Sequence, residues 1–253
     1  MLFLLRSELY KITGYTAFRI LITGYIVTLC SAAYIGDSFV QEFTKQSNPG
    51  NTLPVLSISE YWNALLWLGK FFHLYLGIVI IMLISNEWET RTMRQQIMSG
   101  LTEGQIILCK LFNASIFLII PVILIMFLGL ILGEGLGNMT GSEVTNRFVH
   151  FYLNGMGVLA FSAMLAFWMK KATPAILFLL GYYFIIESIF GIIIENYLPG
   201  YSILLPCKAF SALADFEPDQ EVLLGINNLL LLTVVYIIVF WYSSFFRLRK
   251  YDV

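Results

Sequence analysis

Charge is scarce in this chain of 253 residues: Asp, Glu, Lys and Arg make up 12% of it, against roughly a quarter in soluble domains. A polar surface large enough to keep a globular fold in water is therefore excluded. Paired cysteines are missing too. Cys30, Cys109 and Cys207 stand singly, with no CxxC or Cys/His spacing, so neither a metal site nor a disulfide framework is expected and the three read as small apolar fillers. There is no phosphate loop, because the Gly-Lys of "LGKFF" at Leu68 to Phe72 has neither the upstream glycine nor the following Ser/Thr. No Gly-x-Ser-x-Gly setting, no paired His/Glu metal signature and no Glu-Glu pair facing histidines is present, which argues against an intramembrane enzyme. Net charge is −1 and the isoelectric point is near 6.1, so nothing points to nucleic acid. No internal repeat, low-complexity tract or soluble domain interrupts residues 1–253, which are expected to form one transmembrane unit.

Apolar residues fill the space. They make up 58% of the chain, aromatics 16%, and mean hydropathy is +0.79. Every backbone group in hydrocarbon must be satisfied within its own segment, so each long apolar run must be a helix or part of a closed barrel. The runs are continuous, not alternating, and predict helices. Six spans are expected, about Thr16 to Ile35, Tyr61 to Ser85, Leu111 to Gly133, His150 to Met169, Pro174 to Ile194 and Val222 to Phe246. The first run is too long for a signal-peptide core of about 7 to 15 residues and is expected to remain as a span. Ahead of it, "LFLLRSELYKI" sets Leu2, Leu5, Leu9 and Ile12 on one side, which predicts an interfacial helix over Leu2 to Lys11. With the N-terminus inside, Arg6, Lys11, Arg19, Arg91, Arg94, Lys110, Lys170, Lys171, Arg247, Arg249 and Lys250 all fall on the cytoplasmic side, eleven of the fifteen basic residues. The basic bias places both termini in the cytoplasm.

Loops differ in character. Asp37 to Glu60, with "SNPGN", and the Gly-rich Glu134 to Arg147 read as outer surface loops. Lys170 to Pro174 is so short that the fourth and fifth spans must be antiparallel neighbours, and Pro174 suits the first position of a helix. Glu195 to Glu221 is broken by Pro199, Gly200 and Pro206 yet rich in apolar residues, which predicts short re-entrant helices held against protein. Between the second and third spans, "NEWETRTMRQQIMSGLTEGQIILCK", Asn86 to Lys110, is polar and well formed. Met93, Ile97 and Leu101 recur at four-residue spacing, Trp88 extends that side, and Glu87 precedes Arg91 by one turn in the favourable order for an ion pair. Gly100 is a natural stop, and Thr102 with Gln105 forms a T-x-x-Q capping box opening the next helix. A helix over Glu87 to Ser99, suited to docking a partner, is expected.

The segment Glu87 to Leu111 resembles the signature of the type-two permeases of bacterial ATP-binding-cassette transporters, bacteriocin-immunity and drug-export permeases among them. In those, an acidic residue after the second span leads to "G-T-x-R", then a short helix ending in Ser-Pro or Ser/Asn-Gly, then a lysine entering the third span. Glu87, Glu89, Thr92, Arg94, Ser99, Gly100 and Lys110 fill those places; Arg91 stands where many members have Gly, and Cys109 where Gly often precedes the lysine. The layout of interfacial helix, six spans, inner helix and re-entrant helices extends the resemblance to the whole chain. It implies a non-catalytic, all-α permease subunit in the bacterial inner membrane, dimeric with a second copy or a paralogue, binding no cofactor itself. ATP and Mg would sit on a separate ATPase subunit. The ATPase would be met by Glu87, Glu89, Arg91 and Arg94 as a polar rim and by Trp88, Met93 and Ile97 as apolar anchors, and the expected cargo is a peptide, antibiotic or lipid-like molecule.

Lys70 and His73 lie three apart in the second span and Glu187 lies mid-run in the fifth. A charge at such depth costs on the order of 3 kcal/mol and should face protein or water. The resemblance places these spans around the translocation path, so Lys70, His73 and Glu187 are candidates to line it; a Lys70–Glu187 packing pair and a core histidine at His73 are the plainer alternatives. An ion-coupled transporter or channel using Lys70 and Glu187, and a non-transporting scaffold that recruits an ATPase, are the competing functions.

Overall fold

In the computed structural model, residues 16–47, 58–132, 141–214 and 225–250 are described, and every element in them is helical. In chain order they are α1 (Thr16–Ser47), α2 (Ile58–Glu89), the short α3 (Thr92–Met98), α4 (Glu103–Leu132), α5 (Gly141–Met169), α6 (Ala172–Gly181), a π turn (Tyr182–Ile186), α7 (Glu187–Tyr197), a 3-10 turn (Tyr201–Leu204), α8 (Pro206–Ala214) and α9 (Ile226–Arg249). Six helices are long and apolar enough to cross a membrane, with α6, the π turn and α7 together making the fifth. The expected Leu2 to Lys11 helix lies outside the described residues.

The spans run further than the apolar runs do. Residues 37–47 and 141–147, read from the sequence as loop, are helical here. Hydrocarbon compels helix only across the bilayer core, but nothing compels a helix to stop at its edge until a breaker arrives. The sequence after Asp37 offers none before "SNPGN", and Glu143 in the first turn of α5 favours the helix dipole.

Helix α5 is the hub, packed against α2, α4, α6, α8 and α9. Its sequence explains why: "NGMGVLAFSAMLA" carries the small residues that let helix backbones approach closely in lipid. A Cβ on Gly157 would lie 2.7 Å from the Phe210 ring of α8, and one on Gly77 of α2 would lie 2.5 Å from Ser162 Oγ of α5. Polar contacts add to this packing, Tyr75 Oη donating to the Leu21 carbonyl of α1 at 2.9 Å and Arg147 of α5 donating to Asn63 of α2. Large apolar side chains on the outer faces of α1, α4, α6, α7 and α9, such as Val27, Ile123, Leu177, Ile192 and Ile238, stay exposed. Those faces are suited to lipid and not to water.

In its described part, up to Ala214, the broken segment after the fifth span forms a 3-10 turn and the short α8. Ala209, Phe210 and Leu213 of α8 are buried, and Tyr236 of α9 donates to the Leu204 carbonyl just ahead of it.

Candidate functional site

The polar element between the second and third spans is built from two backbone reversals. Helix α2 continues through Glu89, and Arg91 then adopts φ 59°, ψ 14°, the left-handed region that favours glycine. The chain restarts at once as α3, with Gln95 N–H donating to the Arg91 carbonyl at 3.1 Å. The single helix over Glu87 to Ser99 read from the sequence is therefore corrected to the end of α2, a one-residue reversal and a seven-residue helix. At the far end Gly100 has φ 91°. Its N–H bonds the Ile97 carbonyl at 3.0 Å and the Leu101 N–H bonds the Gln96 carbonyl at 3.2 Å, the paired bonds of a Schellman stop. The capping box forms as read: Thr102 N–H donates to Gln105 Oε1 at 3.0 Å, and Gln105 N–H to Thr102 Oγ1 at 3.4 Å.

The reversal changes which side chains are free to meet a partner. Glu87 sits on α2, not beside Arg91 on one helix, and its carboxylate takes an ion pair from Lys110 of α4. That bond locks the two spans flanking α3. Met93 is only 1% exposed and joins the core, Ile97 packs against it, and Trp88 lies edge-to-face on Phe167 with the Lys170 ammonium 4.9 Å from its ring centre. Met93 and Ile97 thus fix α3 to its own bundle, and Trp88 ties the end of α2 to α5. The face turned outward carries Glu89, Arg91, Arg94, Gln95 and Met98, the last 66% exposed. Trp88, Glu89, Arg91, Met93 and Arg94 line a cleft of about 270 Å³.

The three candidate path residues go to different partners. His73 is fully buried, with Nδ1 2.7 Å from Asn154 Oδ1 and its ring 4.4 Å from that of Phe151, both on α5. It is a core histidine that fastens α2 to α5. Glu187 is also buried, and it accepts hydrogen bonds from the backbone N–H groups of Lys208 at 2.6 Å and Cys207 at 3.2 Å. Those are orphan donors in the first turn of α8, so a carboxylate from the fifth span caps a helix from the following segment. The π turn just before Glu187 adds one residue to the helix and sets the direction of this side chain. Burial, and then the Glu187 charge, push the Cys207 thiol far above its ordinary value. Lys70 lies over the rings of Trp67 and Phe71, its Nζ 5.7 and 5.6 Å from their centres.

Neither protein-family models nor curated proteins give a match to this chain. Its chemistry must therefore be read from the residues themselves. Sequence reasoning missed the Glu87–Lys110 pair, Asn154 as the partner of His73, and the exposure of Met98. A signal existed for the first: Lys110 lies two turns into α4 from Glu103, a depth at which a lysine needs an acidic partner. None existed for Asn154, whose partner is 81 residues away.

Proposed function

We propose that this chain is the membrane permease subunit of an ATP-driven exporter in a bacterial plasma membrane, powered by a separate ATPase subunit that holds ATP and Mg. What supports this reading most is α3. It is a short helix between two spans, bounded by left-handed Arg91 and Gly100, clamped from behind by Met93 and the Glu87–Lys110 pair, and polar on its free face. A loop that merely joins two spans has no need of two sharp stops and a buried anchor. A rigid helix so mounted passes a push from a neighbouring protein to α2 and α4 together, and through α2 to the hub α5. The docking surface is then Glu89, Arg91 and Arg94 as a charged rim around Met98, while Glu87, Trp88, Met93 and Ile97 supply the mounting.

Two copies, or this chain and a paralogue, would enclose the path for a peptide, antibiotic or lipid-like cargo, with both termini in the cytoplasm and α8 dipping into the outer leaflet. Of the three path candidates, His73 and Glu187 serve packing and capping, and the path role is proposed for Lys70 on its place in the second span beside the exposed rings of Trp67 and Phe71. The test is co-purification of the full-length chain with an ATPase subunit encoded beside it. Reversing charge at Glu89, Arg91 and Arg94, or replacing Met98 by Asp, is expected to release the ATPase from a folded permease. Capture at full strength by all of these variants contradicts the docking role.

A further inference from the structure

The fifth span changes character halfway along. Its first half, α6, packs on α5 and α2. Tyr182, at the start of the π turn, is its last firm attachment, with its ring 5.0 Å from that of Phe161 on α5 and stacked on Phe178 at 6.2 Å. Beyond it the turn buries no side chain, and Phe184 and Ile185 are exposed. Among the described residues α7 then packs closely on the π turn before it and the 3-10 turn after it, and on no other spanning helix to a comparable extent. Glu187 and Gly191 are the two buried residues on it, and both face α8. Glu187 accepts from the N–H groups of Cys207 and Lys208, and the Lys208 side chain crosses α7 at Gly191, where a Cβ would collide with the lysine ammonium. Helix α8 itself is fixed, because Phe210 sits on Gly157 of α5 and against the rings of Tyr236 and Phe240 on α9.

The joint ahead of α7 is suited to bending. A π turn breaks the regular ladder of helix hydrogen bonds, and sharp bends in helices fall at such turns or at glycine. Here the two stand in succession. Gly181 has ordinary helical angles, φ −60° and ψ −41°, and a Cβ there would meet nothing within 4 Å. Neither close packing nor a left-handed backbone calls for glycine at that position, so what it contributes is backbone freedom. At the other end of α7, Gly200 is left-handed at φ 83°. We propose that α7 is a hinged arm that swings about Gly181 and the π turn, and that the Glu187 carboxylate on the first turn of α8 is the latch that holds it closed. Opening breaks two charge-assisted hydrogen bonds and leaves the core of the bundle in place, so the open form is a minor state in equilibrium with the closed one. It uncovers Glu187 and the start of α8. The arm does not depend on the exporter reading.

Double electron–electron resonance on the full-length chain in lipid nanodiscs tests the arm. Spin labels go on I193C of α7 and I238C of α9, both exposed positions, in a background carrying C30A, C109A and C207A, the last of which keeps the backbone N–H that Glu187 uses. Labelled chain is diluted with unlabelled chain to remove distances between copies. The parent is expected to show one main distance with a minor longer component. E187Q should raise that component about tenfold, since loss of the charge roughly halves the strength of both bonds. G181A, which stiffens the joint, should suppress it. A control pair across the packed half, L177C with I238C, should give the same single distance in all of these chains. A distribution for the I193C–I238C pair that E187Q leaves unchanged overturns the latch. Equal broadening of the control pair overturns the arm as a separate moving body. Where E187Q cannot be purified, identical distributions in the parent and G181A overturn the joint.

Discussion

At the scale of single residues, the decisive contacts are those that satisfy a charge in a place with little water. Glu87 and Lys110 are both largely buried, with side chains 13% and 8% exposed. Removing one partner strands the other, which costs about 3 to 5 kcal/mol, whereas replacing both by apolar residues of similar size is close to neutral. Glu87→Leu and Lys110→Met are each expected to lower the melting temperature in detergent by many degrees, and the double variant to recover most of the loss. A double-mutant cycle in which the two losses simply add would show that the pair does not hold α2 to α4. Glu187 obeys the same logic with backbone donors in place of a lysine. Glu187→Gln keeps the shape and loses the charge, so it should cost about 1 to 2 kcal/mol and raise hydrogen exchange at the start of α8. If cargo-stimulated ATPase activity changes while exchange at Cys207 and Lys208 does not, Glu187 serves the path and not the cap. The chain sequence announced that Glu187 needed a partner, since a carboxylate inside an apolar run always does. It could not name one, because two N–H groups twenty residues further on carry no side-chain signature.

At the scale of elements, the capping box and the Gly100 stop were legible because both are local: a hydroxyl, an amide three residues later and a residue free to adopt positive φ. The break at Arg91 was not, since an arginine in the left-handed region has no local cause, and tertiary clamping of α2 and α3 imposes it. Two substitutions separate these cases. Gly100→Ala is expected to destabilise by about 1 to 2 kcal/mol, since alanine there must take φ 91°. Arg91→Gly should stabilise by about 1 kcal/mol through relief of the same penalty, while weakening any partner held by the arginine's charge. A melting curve for each variant checks the sign. The π turn invites a deletion test. It carries one residue more than an α turn, so removing the exposed Phe184 regularises the helix and leaves Glu187 pointing at α8. Removing Ile192 from the regular α7 instead rotates everything after it by about 100°. Deletion of Phe184 should therefore yield folded protein and deletion of Ile192 should not.

At the scale of the whole molecule, the six spans were readable from hydrophobicity alone, but the order of burial among them was not. All six runs are apolar, and lipid is as good a solvent for leucine as a protein core is, so apolar content cannot say which helix lies inside. Small residues do: α5 holds Gly155, Gly157, Ala160, Ser162, Ala163 and Ala166, all buried. That contrast sets up an opposition between two kinds of substitution. On the outer face of α4, Ile123 is 62% exposed in an apolar span, so Ile123→Leu should change nothing and Ile123→Arg should cost on the order of 3 kcal/mol and reduce the membrane-inserted fraction. In the hub the ranking reverses, because space and not polarity is limiting. Gly157→Leu keeps the segment fully able to insert, yet its first side-chain carbon already meets Phe210 and the remaining three have nowhere to go. The expected outcome is normal membrane yield with a sharply lowered melting temperature and proteolytic cleavage between α7 and α9, where α8 has lost its seat on α5. Gly157→Ala should fall between, since one methyl group already meets three atoms of the buried Phe210 ring at 2.7 to 2.8 Å and forces that ring to move, while adding no further carbons. If Gly157→Leu melts like the parent while Ile123→Leu does not, α5 is not the helix on which the other spans are assembled.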